Sequence, residues 1–201
     1  RFVINSLASA EGDRLLWSWS PDPDHLEDRW VLSRYNRTVD QVNAYMEELQ
    51  FGEAQRVAHD FLWSEYCDWY LEMSKVRLRS GDQSPLSVLG YVLERVLRLL
   101  HPFMPFITEE IWRSLVEYLP DEPGRPDALI IAEYPQADAS LFDPQAELDM
   151  EAVMELVRGV RNLRAEFRIQ PHQSVEAIVD APEAGHVFES EAEAIRALAQ
   201  V

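Results

Sequence analysis

The sequence predicts a mainly α-helical bundle, and three observations predict it. Apolar residues recur at spacings of 3 and 4 over long runs, the period of one helical face. Six Trp, seven Tyr and eight Phe supply large core-forming side chains, whereas 201 residues contain only seven Gly and twelve Pro to make turns. An apolar content of 47% is enough to pack a core across one or two domains. Together these suit a few long helices better than many short strands.

The first helix is expected from Asp28 to Leu49, where Leu32, Tyr35, Val39, Val42, Met46 and Leu49 mark one face. Asp28 fits its N-cap, and Gly52 lies just beyond the last periodic position. A second helix is expected from Glu53 to Arg79. Ala58, Leu62, Tyr66, Trp69 and Met73 fall on one side, and Glu65, Asp68, Glu72, Lys75 and Arg79 on the other. Gly81 to Pro85 breaks it, with Ser84 and Pro85 suited to the N-cap and first position of a third helix.

That third helix, to about Leu100, is apolar on several sides and is expected to be central. Pro102 and Pro105 force a turn, after which Thr108 can cap a helix opening on Glu109 and Glu110. The stretch from Pro120 to Pro144 reads as an irregular linker, with Ala128 to Ala132 either a strand or an extended arm. A fifth helix spans about Gln145 to Arg168, Val175 to Val179 reads as a short strand ended by Pro182, and a final helix begins near Glu189.

Composition excludes several functions. A single cysteine, Cys67, rules out an internal disulfide and a cysteine-rich zinc site, and suits a reducing cytoplasm. Among Tyr66, Trp69 and Tyr70 it reads as a small buried hydrophobe rather than a nucleophile. No run of about 18 apolar residues is present and Arg1 to Ala10 lacks a signal-peptide layout, so no membrane partner is expected. Arg1 is not an initiator Met and Val201 falls inside a helical pattern, which reads as a piece of a longer polypeptide. No Gly-rich phosphate loop, H-E-x-x-H or G-x-S-x-G occurs. Glu-x-x-His appears only at Glu183 and His186, in a Pro/Gly turn, so neither a catalytic residue nor a metal site is assigned.

The net charge of -18 means that any nucleic-acid surface must be local, because phosphate binding is driven by Lys and Arg. The cations are 17 Arg and one Lys. Two stretches qualify. One is the polar face of the second helix, whose plain reading is a solvated face with i,i+4 pairs. The other is Arg158, Arg161, Arg164 and Arg168, the last three of which share a helix face and could follow a phosphate backbone.

The strings FLWSEYCDWYLEMSK (Phe61 to Lys75), LRLLHPFMPFITEEIW (Leu97 to Trp112) and RGVRNLRAEFRIQP (Arg158 to Pro171) resemble the valyl-tRNA synthetase family over essentially the whole chain, less so at Ser9 to Glu27 and after Pro182. Met73, Ser74 and Lys75 match part of that family's ATP-binding KMSKS loop, but they lack its first Lys and last Ser and sit in a helical pattern. The HIGH signature is absent. The resemblance therefore implies the class Ia anticodon-binding helical bundle over residues 1–142, then a helix and the start of a small α/β subdomain over 143–201, ahead of a coiled coil.

It further implies a non-catalytic piece of a cytoplasmic enzyme that couples valine to its tRNA with ATP and Mg²⁺ and edits mischarged Thr-tRNA, with no cofactor in this piece. The expected partners are the anticodon stem-loop of valine tRNA and the catalytic and editing domains of the same polypeptide. Glu72 matches the acidic residue of the family's Y-L-E anticodon motif, Leu71 its apolar support, and Phe2, in R-F-V-I, the residue that stacks on an unstacked base. Valine codons begin GU, so the anticodon presents C and A, whose exocyclic amino donors suit a carboxylate. Arg34, Arg37, Lys75 and Arg79 are expected to contact the RNA backbone along with the later arginines. A scaffolding bundle that never meets RNA, and the matching domain of an isoleucyl or leucyl enzyme, are the alternatives.

Overall fold

The computed structural model describes residues 1–10, 23–120, 124–170, 173, 175–182 and 184–201. Among these, helices α1 (Phe2–Ser9), α2 (Leu26–Glu47) and α3 (Phe51–Asp60) come first. A π-helical segment (Phe61–Tyr70) carries α3 directly into α4 (Leu71–Arg79). The remaining helices are α5 (Pro85–Leu100), α6 (Pro105–Val116), α7 (Pro144–Glu166), α8 (Gly185–Ser190) and α9 (Ala192–Ala199). No helix among the described residues is long and apolar enough to cross a membrane.

The expected apolar faces supply the core. On α2 the stripe Trp30, Val31, Leu32, Tyr35, Val39 and Val42 is buried, and α5 buries residues on all sides, from Leu86 and Leu89 to Val96 and Leu100. Helix α5 packs against α1, α2, α3, α4 and α6, which makes it the centre of the bundle. Glu94 on α5 is 1% exposed and accepts hydrogen bonds from Arg98 Nε (2.7 Å) and Trp112 Nε1 of α6 (2.9 Å), so its charge is compensated where water cannot reach it.

Several boundaries differ from the sequence expectation. Helix α1 falls where none was anticipated: eight residues bury only Val3 and Leu7, too few to show a period. The N-cap of α2 is His25, not Asp28, which is buried one turn inside and faces Arg77 and Tyr70. Helix α2 stops at a left-handed Leu49 (φ 59°), 73% exposed, so Leu49 is not a core position and Gly52 lies within α3. Helix α6 starts at Pro105 with Met104 as N-cap. Thr108 sits in its first turn and donates to the Met104 carbonyl (2.9 Å) instead of capping.

Over its described residues the connector between α6 and α7 is irregular, in keeping with its Pro content, and Leu129–Ile131 forms a 3-10 turn rather than a strand. It is stitched to α2 by polar side chains. Asn36 accepts from the Asp138 amide (2.8 Å), Ser33 from the Asp143 amide (2.9 Å), and Asn43 donates to the Pro135 carbonyl (3.1 Å). Buried Ser33 and Asn36, which look out of place on a helix face, thus satisfy backbone groups of the connector.

Val175 to Val179 takes up no regular secondary structure and joins no ladder among the described residues, and Ile178 is 94% exposed. A strand exists only through hydrogen bonds to a neighbour, and no described segment supplies one. The last helical stretch begins at Gly185, earlier than Glu189, and is split into α8 and α9. Glu183 lies outside the described residues, and so does Pro171.

Candidate nucleic-acid interface

The residues expected to read RNA gather where the π segment hands over to α4. Leu71, half-buried, packs on the core, while the Glu72 carboxylate points outward with its side chain 41% exposed. One turn on, Lys75 Nζ donates to Glu72 Oε1 (2.5 Å) and lies 5.1 Å from the centroid of the Phe2 ring on α1. A cavity of about 480 Å³ opens beside them, lined by Phe2, Ser6, Lys75, Leu78, Arg79 and Gln83. The start of α1, which the sequence places 70 residues from Glu72, is thereby brought to the same corner by packing against α5.

On the other flank of Glu72, the π segment faces α7 and α9 across a second recess of about 690 Å³. Trp69 is 6% exposed, and the guanidinium carbons of Arg158 and Arg161 lie 5.3 and 5.7 Å from its ring centroid. Asp68 and Glu72 form the facing wall. Arg161 Nε donates to the Leu198 carbonyl (2.9 Å), and Arg158 pairs with Glu151 (3.2 Å). Sequence periodicity identifies Trp69 as a core residue but holds no sign that two arginines some ninety positions later roof it.

The other expected cations are placed differently. Arg34 grips Glu65 through two hydrogen bonds (2.6 and 2.9 Å), and Arg37 grips Glu147 while its guanidinium covers the Phe142 ring at 4.8 Å. These contacts brace α2 against the π segment and α7. Burial pushes the Glu147 carboxyl up, but hydrogen bonds from Ser33 and Arg37 and the charges of Arg37 and Arg34 outweigh it and hold the group below its ordinary range. Arg164 is 6% exposed and donates to the carbonyls of Gln200 (2.7 Å), Gln170 and Gln173 (both 3.0 Å). It ties the chain after α7 back onto that helix, so it does not lie along a surface with Arg161 and Arg168 as the spacing suggested. Arg168 is exposed past the end of α7 in a left-handed conformation (φ 54°).

Burial and the neighbouring Asp68 push the Cys67 thiol up, which disfavours the reactive thiolate. Among the described residues no group of three or more His, Cys, Asp and Glu is arranged to hold a metal ion.

A helical bundle that displays a carboxylate, a half-buried aromatic ring and ordered arginines around two open recesses has the parts of an RNA-reading module. Residues 28–179 match the family described as the anticodon-binding domain of tRNA ligase, and the chain belongs to that family. Its curated relatives narrow the class further. The chain is 50% identical over 201 residues to a valine–tRNA ligase of Dehalococcoides mccartyi, a match that takes in all of this chain and 22% of that protein. It is 42% identical over 180 residues to the valine–tRNA ligase of Carboxydothermus hydrogenoformans (87% of this chain, 20% of the relative). The match to that of a Nostoc species is 43% over 155 residues (74% and 15%). The chain spans about a fifth of the length of the curated relatives it matches.

Proposed function

We propose that this chain recognises the anticodon stem-loop of valine tRNA as the anticodon-binding part of a valine–tRNA ligase, and contributes identity and orientation rather than chemistry. In this reading residues 1–142 form the anticodon bundle and residues 143–201 lead into a further subdomain. Attachment of valine, with ATP and Mg²⁺, and editing belong to other domains of the same cytoplasmic polypeptide. Membership of the anticodon-binding family favours RNA over a scaffolding role. The run of valine–tRNA ligases among the relatives favours valine over isoleucine or leucine.

The observation that carries the reading is the part-exposed Glu72 carboxylate, paired with Lys75, which in turn lies over the Phe2 ring and lines a cavity with it. A carboxylate accepts from the amino groups of A and C and repels the carbonyl edges of G and U. Phe2 offers an apolar face on which an unstacked base can lie, and Lys75 and Arg79 supply local positive charge in an otherwise anionic molecule.

The test is binding of the chain at low salt to a valine anticodon stem-loop, to the same loop with its A and C replaced, and to both with Glu72→Gln. Glu72→Gln is expected to weaken the valine loop about tenfold, roughly 1.4 kcal/mol, and to leave the replaced loops unchanged. Equal affinity of the wild-type chain for all loops would remove base reading from this surface.

A further inference from the structure

We infer that the recess between the π segment and α7 is a second base site, in which a nucleobase lies on the guanidinium planes of Arg158 and Arg161 and presents its edge to Asp68 and Glu72. This rests on the anticodon reading and extends it. Trp69 itself cannot receive a base: it is 6% exposed in the core, with the two guanidiniums against its ring. The arginines that lie against it are themselves within reach of a ligand, since Arg161 is exposed and the Arg158 side chain is 50% exposed.

A guanidinium is planar and weakly hydrated, and unstacked bases of single-stranded RNA settle on it as they do on aromatic rings. Here the planes are ordered before any ligand arrives. The indole supports them from beneath, the Leu198 carbonyl fixes Arg161, and Glu151 fixes Arg158. Little side-chain freedom is then lost on binding.

The opposite wall decides what lies there. Asp68 and Glu72, one helical turn apart, balance the two arginines, so the recess has no net charge from these four groups. A phosphate placed in it would confront two carboxylates. A neutral base carrying an exocyclic amino group would stack on one wall and donate to the other. The recess, about 690 Å³, is of a size that holds a small ligand. Glu72 then stands between two sites, the Phe2 cavity on one side and this shelf on the other, and neighbouring bases of one loop can be splayed to either side of it.

The substitution that separates stacking from charge is Arg→Lys. In the whole 201-residue chain, the double variant R158K/R161K keeps both charges but loses both planes. It is expected to weaken the valine stem-loop about tenfold, to leave the salt dependence of binding unchanged, and to lose discrimination at one anticodon position only. 2-Aminopurine placed at that position should be quenched by the wild-type chain and not by the variant.

Because Arg161 also holds Leu198, exposed Asp68→Asn provides an arm with no fold to disturb, and it should lose discrimination at the same position. If the lysine variant binds and discriminates like wild type, or loses affinity equally for every loop, the arginines only neutralise phosphate and the second site is wrong. A wild-type chain that does not distinguish the loops at all would overturn the anticodon reading together with it.

Discussion

At position 77 one guanidinium answers three carboxylates. Arg77 reaches Glu27 (2.7 Å) and Asp28 (2.8 Å) on α2 and Asp82 (2.8 Å) in the following turn, while the Tyr70 hydroxyl donates to Asp28 (2.6 Å). Glu27 and Asp28 are each 4% exposed at the side chain. Burial works against the Arg77 charge, but the attraction of Asp28 and Glu27 exceeds it and raises the pKa of the group. Arg77→Met keeps the stem and strands two buried carboxylates. It should cost about 3–5 kcal/mol in urea unfolding, mostly the penalty of unpaired charge rather than the value of the ion pair. A loss below about 1 kcal/mol would mean that water reaches the carboxylates. The sequence offered only a local reading of Asp28, as a helix cap. Its partner lies 49 positions away, and the long-range pairing of charges leaves no trace in spacing. Arg164 misled for the same reason: its three carbonyl partners are backbone atoms, which no residue pattern encodes.

Among the elements, the π segment is the one the 3.6-residue period describes least well. Phe61, Tyr66, Tyr70 and Ser74 are buried at spacings of 5, 4 and 4, and the Leu71 amide bonds the Tyr66 carbonyl five residues back. The wider turn moves Phe61 into the core and leaves Leu62, which an α-helical face claims, only half-buried. Phe61→Ala should therefore cost about 3–5 kcal/mol of stability and Leu62→Ala about 1 kcal/mol, compared by thermal or urea denaturation. The reverse order would favour an unbroken α-helix. Long helices were legible because each buries several residues of one face. Helix α1 was not, with two buried residues, and the Val175 to Val179 segment has the composition of a strand without a described neighbour to pair with. The grouping of Glu72, Leu71, Lys75 and Arg79 could be read from one helix, whereas the Trp69 shelf depends on how α7 and α9 lie across it.

For the molecule as a whole, acidity sets how firmly the C-terminal helices are seated. Glu191 sits at the head of α9, which packs on α4 and α7, and it faces Glu27, Asp28 and Arg77. Burial, then repulsion from Glu27, opposed by Arg77, raises its carboxyl from 4.5 to about 7. Between those two values the folded chain binds more protons at this group than the unfolded chain, so its contribution improves on acidification through that window. The penalty is complete above about pH 7. Glu191→Gln should stabilise the chain at pH 8 by roughly 1 kcal/mol, a figure reduced because the side chain keeps much of its hydration. The gain should vanish below about pH 4.5. A gain that stayed constant from pH 4 to 8 would show that charge at this position is irrelevant.

The seam that Ser33, Asn36 and Asn43 make with the α6–α7 connector also redistributes vulnerability. Structureless connectors are ordinarily where a protease first cuts, because cleavage needs a length of backbone that can be drawn away from the body. Here the long connector is buttoned down at three points along α2, whereas among the described residues the short thread from Val175 to Ala181 has no such backbone hydrogen bond to hold it.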